Sequence, residues 1–569
     1  MVEGPELDQP LSTRTAAIAA DNASHLAAAL HDAGVTLMYG VPGGNNLRVI
    51  AAASSAGCRF ILTHTETAAV IMAGVTAELT GRPCAAIATR GPGAASAVNG
   101  MAQALLDRQA VLLITDRIPD ADRHRVSHQR VDQVRLLGTV AKASVVLGAR
   151  DGSAVARAAL DAAADGMPGP VHIDYDESSE SDGTIARGDR PGISPSDARS
   201  AHRDALEQVK KALAKARQPV IVAGVGLTAG HRRNAYTAAL REFVADSTVP
   251  VLTTYKARGV VGDNSAAAAG VVTGGTAESA LLRKADLIVG IGLDPVELLP
   301  TAWEYEAPVY LVNPWPTRDV EYFGRHLAAE AAGDLEIALS ELRDHLHSGW
   351  PDDAARDYRG QALRRLKAAT TSLTGAPTPQ QVVTVASKLA PPGSIATVDS
   401  GAHMLVAAPL WTADEPGQLI ISSGLATMGF ALPAAIAAAL SCPDRHIVCF
   451  TGDGGLGMAL AELEILARLN LPVIVVVFND ATLSLIAIKQ DDNAPTRAEV
   501  VRYAPSDFAS VGAAFGLHSA SVADVDTYSS QLEKAFSYSG PTIIDVTIDA
   551  ASYAAILDAS RGTGIKEDT

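Results

Sequence analysis

Short, continuous apolar runs alternate with alanine-rich stretches along nearly the whole chain, and this alternation constrains the fold more than any other feature. CAAIAT (84–89), AVLLIT (110–115), PVIVAG (219–224), DLIVGIG (286–292), HIVCFTG (446–452) and PVIVVVF (472–478) are apolar at nearly every position. Runs of that length predict strands buried on both faces, as in parallel sheets covered by helices. Their alternation with helical stretches predicts doubly wound α/β units.

Two breaks divide the pattern. DESSESDGTIARGDRPGISPSDARS (176–200) is polar, rich in Gly, Pro and Ser, and reads as a linker. The second break begins at SGWPDDAARDYRG (348–360) and continues through TGAPTP (374–379). Three doubly wound parallel-sheet domains are therefore expected at 15–180, 200–345 and 378–550, each of ordinary size. The last segment, SRGTGIKEDT (560–569), reads as a loose tail.

Composition narrows the function classes. A chain of 569 residues with 48% hydrophobic and 19% charged residues can build large cores, which excludes a mainly disordered protein. Its 46 Lys and Arg against 63 Asp and Glu give a net charge of -17, which opposes general nucleic-acid binding. Cys58, Cys84, Cys442 and Cys449 form no CxxC pair and suit neither zinc nor a disulfide framework. The first ten residues, MVEGPELDQP, have no signal architecture, and the apolar run Leu471 to Phe478 is too short to span a membrane. A cytoplasmic protein is expected, without membrane or nucleic-acid partners.

The most informative segment is HIVCFTGDGGLGMALAELEILARLNLPVIVVVFNDATLSLI (446–486), which reads strand, Gly-rich turn, helix, strand, loop. Gly452, Asp453, Gly454 and Gly455 close the strand and open the helix. Backbone N–H groups there can receive a phosphate. Asp453 can give a hard oxygen ligand to Mg²⁺, which commonly takes phosphate oxygens as well. The next strand ends at Asn479 and Asp480, where a second oxygen ligand can meet the same ion on the carboxyl edge of the sheet. A lone GDGG is equally an ordinary tight turn; the helix, second strand and acidic loop favour the functional reading.

With these elements the sequence resembles the thiamine diphosphate-dependent enzymes, and within them the acetohydroxyacid and acetolactate synthases. The resemblance spans almost the whole chain, in the order pyrimidine-binding, central and diphosphate-binding domain. It implies thiamine diphosphate held through Mg²⁺ by Asp453, by Asp480 in place of the usual Asn, and by the backbone carbonyl of Thr482. It also implies that Glu66, within FILTHTETAAVIMAGVTAELTGRPCAAIATRGPGAASAVNG (60–100), is the activating glutamate. A carboxyl group on the pyrimidine N1′ favours the imino tautomer, whose nitrogen takes the proton from thiazolium C2. The His that often precedes this Glu is replaced by Thr65, with His64 one place earlier.

Other stretches match in turn. Thr89-Arg90-Gly91-Pro92-Gly93 resembles a Ser-Gly-Pro-Gly loop, and Arg90 in it favours an anionic group nearby. Gly40 to Asn45 resembles the domain's first loop, which makes Asn45 and Asn46 candidate substrate contacts. Gln129 in Ser127-His128-Gln129-Arg130 matches the active-site Gln, His128 replaces a Phe and is a candidate acid–base group, and Lys142 follows at the family's Lys. Asp399-Ser400-Gly401-Ala402-His403 resembles the stretch around the diphosphate, with Gly401 and His403 as contacts. Met428 in GLATMGFALP (424–433) matches the bulky residue that bends the cofactor into a V. Ile486, in the apolar run that follows the metal loop, is expected to line the pocket and tune substrate preference.

The expected activity is 2-ketoacid decarboxylation followed by carboligation, acetolactate synthase-like. A non-ligating decarboxylase or a C–C lyase or hydrolase shares every cofactor residue and stays open, as does a catalytically silent effector-binding protein. The resemblance further implies a homodimer or tetramer, with a small-molecule ketoacid and a carbonyl acceptor as substrates. FAD-binding synthases hold the flavin in the central block. Here the full GxGxxG is absent around Gly224, Gly226 and Gly230, and Leu293-Asp294-Pro295-Val296 replaces a Phe-Asp-Asp-Arg stretch. FAD binding and a cofactor-free spacer are both open readings of this block.

Overall fold

The computed structural model describes residues 21–147, 152–176, 185–187, 195–275, 277–368, 372–489 and 498–562. The N-terminal MVEGPELDQP, Gln490, much of the 176–200 stretch and most of the C-terminal tail lie outside the described residues.

Three sheets form in sequence. The first holds β1 (Leu37–Gly40), β2 (Arg59–Leu62), β3 (Cys84–Ala88), β4 (Val111–Asp116), β5 (Ala143–Leu147), β6 (Val171–Tyr175) and β7 (Ile185–Arg187), in the order β2-β1-β3-β4-β6-β5-β7. Its first six strands are parallel, and β7 adds an antiparallel edge on β5. The central sheet holds β8 (Pro219–Ala223), β9 (Val251–Thr253), β10 (Ala268–Val271), β11 (Leu287–Ile291), β12 (Val309–Asn313) and β13 (Leu327–Ala332), in the order β10-β9-β8-β11-β12-β13. The third holds β14 (Ile395–Val398), β15 (Leu419–Ile421), β16 (Ile447–Gly452), β17 (Val473–Asn479), β18 (His518–Val522) and β19 (Thr542–Thr547), in the order β15-β14-β16-β17-β19-β18. The central and third sheets are entirely parallel. The three doubly wound domains expected from the alternation are therefore present.

The polar breaks are more structured than their composition predicts. Ile185–Arg187 inside the first break pairs as β7, and the helix Pro195–Leu213 begins before that break ends. The second break contains the helix Ala354–Ala368. Its apolar contribution is small, with Ala354, Ala355 and Leu366 the buried positions, so a weak apolar stripe hid a packed helix.

Packing joins the domains. One apolar core runs from the first sheet into the third domain, where the helix Glu66–Thr80 packs on the helix Ala431–Ser441. Lys256, 4% exposed, ties all three domains. Its Nζ lies 2.5 Å from Glu78 and 3.8 Å from Asp107 of the first domain, and it donates to the Ile421 carbonyl of the third at 3.4 Å. Asp107 in turn accepts the N–H groups of Ser423 and Gly424 at 3.1 and 2.8 Å. A buried cation left unpaired would be costly, so these carboxylates fix the mutual placement of the domains.

Candidate active site

The carboxyl ends of β14, β16 and β17 open into a cleft of about 240 Å³. Gly452 ends β16 and Asp453 begins the helix Asp453–Ala459. The Asp453 carboxylate is buried and fully engaged. Oδ1 accepts the Gly454 N–H at 2.7 Å and the Tyr503 hydroxyl at 2.5 Å. Oδ2 accepts the N–H groups of Asp480 at 3.2 Å and Ala481 at 2.6 Å. Ala481 adopts a left-handed φ of 52°, a conformation non-glycine residues rarely take, at the turn that presents both N–H groups. Asp480 accepts from Ser484 Oγ and from the Thr482 N–H at 3.2 Å. Burial, with the nearby Asp453 charge adding, pushes the Asp480 carboxyl up to about 6.

Glycine is required at the base of the cleft. A Cβ on Gly455 would stand 2.5 Å from Asp399 Oδ2. Asp399 is buried, and it accepts the N–H groups of Ser400, Gly429 and Phe430 and the Thr451 hydroxyl. It thereby fixes the loop bearing Met428, whose methyl lies over Gly454, 3.5 Å from where a Cβ there would stand. Burial raises Asp399 to about 6. His403 stacks on Phe478 and is held neutral by burial, its pKa down to about 4.

These residues fit a diphosphate bound through a divalent cation. His403 Nε2 and Ser400 Oγ are buried polar atoms without protein partners, and both residues line the cleft with Gly401. The described lining contains Asp453 and Asp480 but no Lys or Arg, so a bound polyanion needs a cation between it and the carboxylates. No group of three or more His, Cys, Asp or Glu able to hold a metal occurs among the described residues.

The first sheet presents a second cleft at its own carboxyl edge. Asp116, at the end of β4, gathers it. It accepts the Arg90 N–H at 3.1 Å, lies 3.5 Å from the Arg90 guanidinium, and accepts the Asn45 amide at 3.3 Å. Asn46 is buried instead and braces its own loop through Gly43 and Ala88. Glu66 opens the helix that Thr65 caps, and Gly93 comes close enough that a Cβ there would meet Glu66 Oε1 at 3.0 Å. His128 and Gln129 are exposed; Gln129 has a left-handed φ of 56°, and its carbonyl lies against Gly91. Lys142 is not brought to this group. It precedes β5, on the opposite edge of the sheet, and donates to the Asp165 carbonyl at 3.0 Å.

Sequence reasoning missed several residues. Tyr503 reaches Asp453 from fifty positions away and carries no motif. Gln133, four places beyond Gln129, is the buried glutamine beneath the Thr89–Gly93 loop. It accepts the Gly91 N–H at 2.8 Å and donates to Asp174 at 2.6 Å. Its burial depends on a tertiary network that spacing does not reveal. Ile486 lines the third-domain cleft and is exposed.

The central sheet has the strand order of dinucleotide-binding folds, with its switch point between β8 and β11. The crevice there is filled. A Cβ on Gly224 would stand 2.6 Å from the Gly292 carbonyl, and one on Gly226 2.7 Å from Gly292 Cα. Glu297 occupies the crevice, accepting the Val225 N–H at 2.8 Å and the Thr254 hydroxyl at 2.6 Å. The neighbouring cavity, walled by Glu78, Asp107 and Lys256, has a volume of about 10 Å³, room for one water. The residues present do not fit FAD at this position.

No helix among the described residues is long and apolar enough to cross a membrane. The described N-terminal, central and C-terminal domains of thiamine pyrophosphate enzymes match residues 20–136, 206–314 and 399–546. The acetolactate synthase of Bacillus subtilis is 26% identical, over 91% of this chain and 92% of that protein. The acetolactate synthase isozyme 2 large subunit of Escherichia coli is 29% identical, over 92% and 94%. The acetolactate synthase large subunit of Parasynechococcus marenigrum is 30% identical, over 92% and 87%. With three matching domains in order and relatives aligned nearly end to end, the chain belongs to the thiamine pyrophosphate-dependent enzyme family and is acetolactate synthase-like within it.

Proposed function

We propose that this protein decarboxylates a 2-ketoacid and joins the product to a second carbonyl compound, using thiamine diphosphate and Mg²⁺. The observation that carries the reading is the third-domain cleft, lined by the two carboxylates of Asp453 and Asp480 and by a neutral His403 whose Nε2 has no protein partner. When bound, thiamine diphosphate would supply a carbon nucleophile and a sink for the electron pair left behind when CO2 departs. Asp453, Asp480 and the Thr482 carbonyl would hold the cation, and Gly401, Gly452, Gly454, Gly455 and His403 would receive the diphosphate. Met428 would support the bend between the rings. Glu66 would hold a proton at N1′ of the pyrimidine. Gln129 and His128 would meet substrate, with Asn45 and Arg90 orienting its carboxylate and Ile486 forming an apolar wall.

The two clefts have separate linings, one drawn from the first domain and one from the third. A homodimer in which the first domain of one copy covers the third domain of its partner would unite them. A cytoplasmic setting accords with the four unpaired cysteines. A non-ligating decarboxylase or C–C lyase is the second reading. It is favoured by Val296, which stands where the synthases that the sequence resembles carry the Arg that helps grip a 2-ketoacid.

Titration of thiamine diphosphate into metal-free protein, with and without Mg²⁺, tests the cofactor. Saturable, Mg²⁺-dependent binding is expected, followed by CO2 release from a 2-ketoacid panel and product analysis for new C–C bonds. Absence of cofactor binding would favour a silent effector-binding protein; CO2 without ligation products would favour the second reading.

A further inference from the structure

A carboxylate offers about four lone-pair positions, and all four on Asp453 are occupied. Three are taken by backbone N–H groups, those of Gly454, Asp480 and Ala481. These belong to a helix start and to a turn that cannot withdraw without unfolding the loop. The fourth donor is the Tyr503 hydroxyl, on a side chain that can rotate. The Tyr503 backbone stays pinned meanwhile. Its N–H donates to the Ala481 carbonyl at 3.2 Å, the Leu483 N–H donates to the Val501 carbonyl at 2.8 Å, and Thr482 bridges Arg502.

We propose that Tyr503 is a placeholder donor in the metal site, satisfying Asp453 in the unloaded protein and yielding its position on Asp453 Oδ1 to the entering cation. The proposal rests on the Mg²⁺ reading above. The phenol compensates part of the negative charge that Asp453 and Asp480 concentrate in the cleft. A cation that compensates it better displaces the hydroxyl, and only the side chain moves. Loading then costs one hydrogen bond to a charged acceptor, which weakens the metal in proportion.

The test compares wild type with Tyr503→Phe by calorimetric titration of Mg²⁺ at saturating thiamine diphosphate, and by thermal melts with and without both. Tyr503→Phe is expected to bind Mg²⁺ about tenfold more tightly, or ~1.4 kcal/mol. Its melting temperature should fall in the unloaded state and match wild type in the loaded state. The near-ultraviolet tyrosine difference spectrum on Mg²⁺ addition should be present in wild type and diminished in the variant. Weaker or equal Mg²⁺ affinity in a folded variant overturns the proposal alone, because Tyr503 then supports the loaded site or is a bystander. Failure of wild type to bind Mg²⁺ overturns the cofactor reading and this proposal together. Should the variant not fold, a wild-type spectrum unchanged by Mg²⁺ that demonstrably binds overturns it.

Discussion

Glu462 accepts three hydrogen bonds from the start of the helix that carries Glu66: the His64 N–H at 3.2 Å, the Thr65 N–H at 3.1 Å and the Thr65 hydroxyl at 3.1 Å. Glu462 lies in the short helical turn, Leu460–Glu462, that directly follows the helix beginning at Asp453. The two candidate halves of the chemistry are thus mechanically joined within one chain. Glu462→Ala is expected to destabilise by about 1–3 kcal/mol through the donors it strands, and Glu462→Gln by less, since one acceptor oxygen survives. Chemical denaturation of both variants checks the order; equal loss in both would mean that the contact is only steric.

Glu66→Gln should leave thiamine diphosphate affinity within a few-fold of wild type while turnover falls by about 10²-fold or more, the scale of lost acid–base catalysis. Calorimetry and CO2 release on the same preparation separate the two. Wild-type turnover would remove Glu66 from the chemistry.

The two acidic residues of the third domain should behave differently. Asp453→Ala strips the acceptor from four donors and is expected to abolish Mg²⁺-dependent binding. Asp480→Asn keeps one of the two oxygens, which accept separately from Thr482 and Ser484, offers an amide N–H to the Ser484 hydroxyl in place of the other, and removes a like charge, so binding should stay within about tenfold. Calorimetric titration of each variant decides. Loss of binding in Asp480→Asn would show that its charge is needed.

Burial in the switch-point crevice raises Glu297 from 4.5 to about 8. The folded protein therefore holds a proton across that window that the unfolded chain releases. The stability this group contributes is full below about pH 4.5 and is lost as pH rises through about 8. Glu297→Gln, which can still accept from Val225 and pair with Thr254, should lack this dependence. Denaturation midpoints of the two proteins should converge near pH 4.5 and separate towards pH 8, with the variant the more stable. Parallel curves would contradict the assignment.

The same filled crevice predicts a visible spectrum without a flavin band, and no FAD binding when FAD is titrated in. Stoichiometric flavin in the purified protein would require the Gly224, Gly226 and Gly292 turns to separate.

The architecture was legible because apolar runs such as Val473–Phe478 can be buried only between two helical layers. The Gly-rich turn was legible because Gly455 is dictated by a neighbour, Asp399, that its backbone must touch. Local pattern carried less where a residue acts through distant partners. Tyr503 and Gln133 have no distinguishing spacing, and Lys142 matched a position in the chain while standing on the opposite edge of its sheet. The central crevice shows the reverse limit. Its glycines looked like an imperfect nucleotide turn, and they are small because a second backbone segment packs on them.

Renumbered within each domain, the outer sheets share the strand order 2-1-3-4-6-5. The helices Glu66–Thr80 and Ala431–Ser441, which pack together, each follow the second strand of their sheet, so each meets its own topological counterpart. Likewise the Thr89–Gly93 loop and the Gly452–Gly455 loop each leave the third strand. The chain therefore carries an internal pseudo-two-fold relation, and its two halves differ in duty by what a few side chains say at equivalent addresses. An acidic Glu66 opens one counterpart helix and an apolar Ala431 the other; a cationic Arg90 stands in one third-strand loop and a carboxylate, Asp453, in the other.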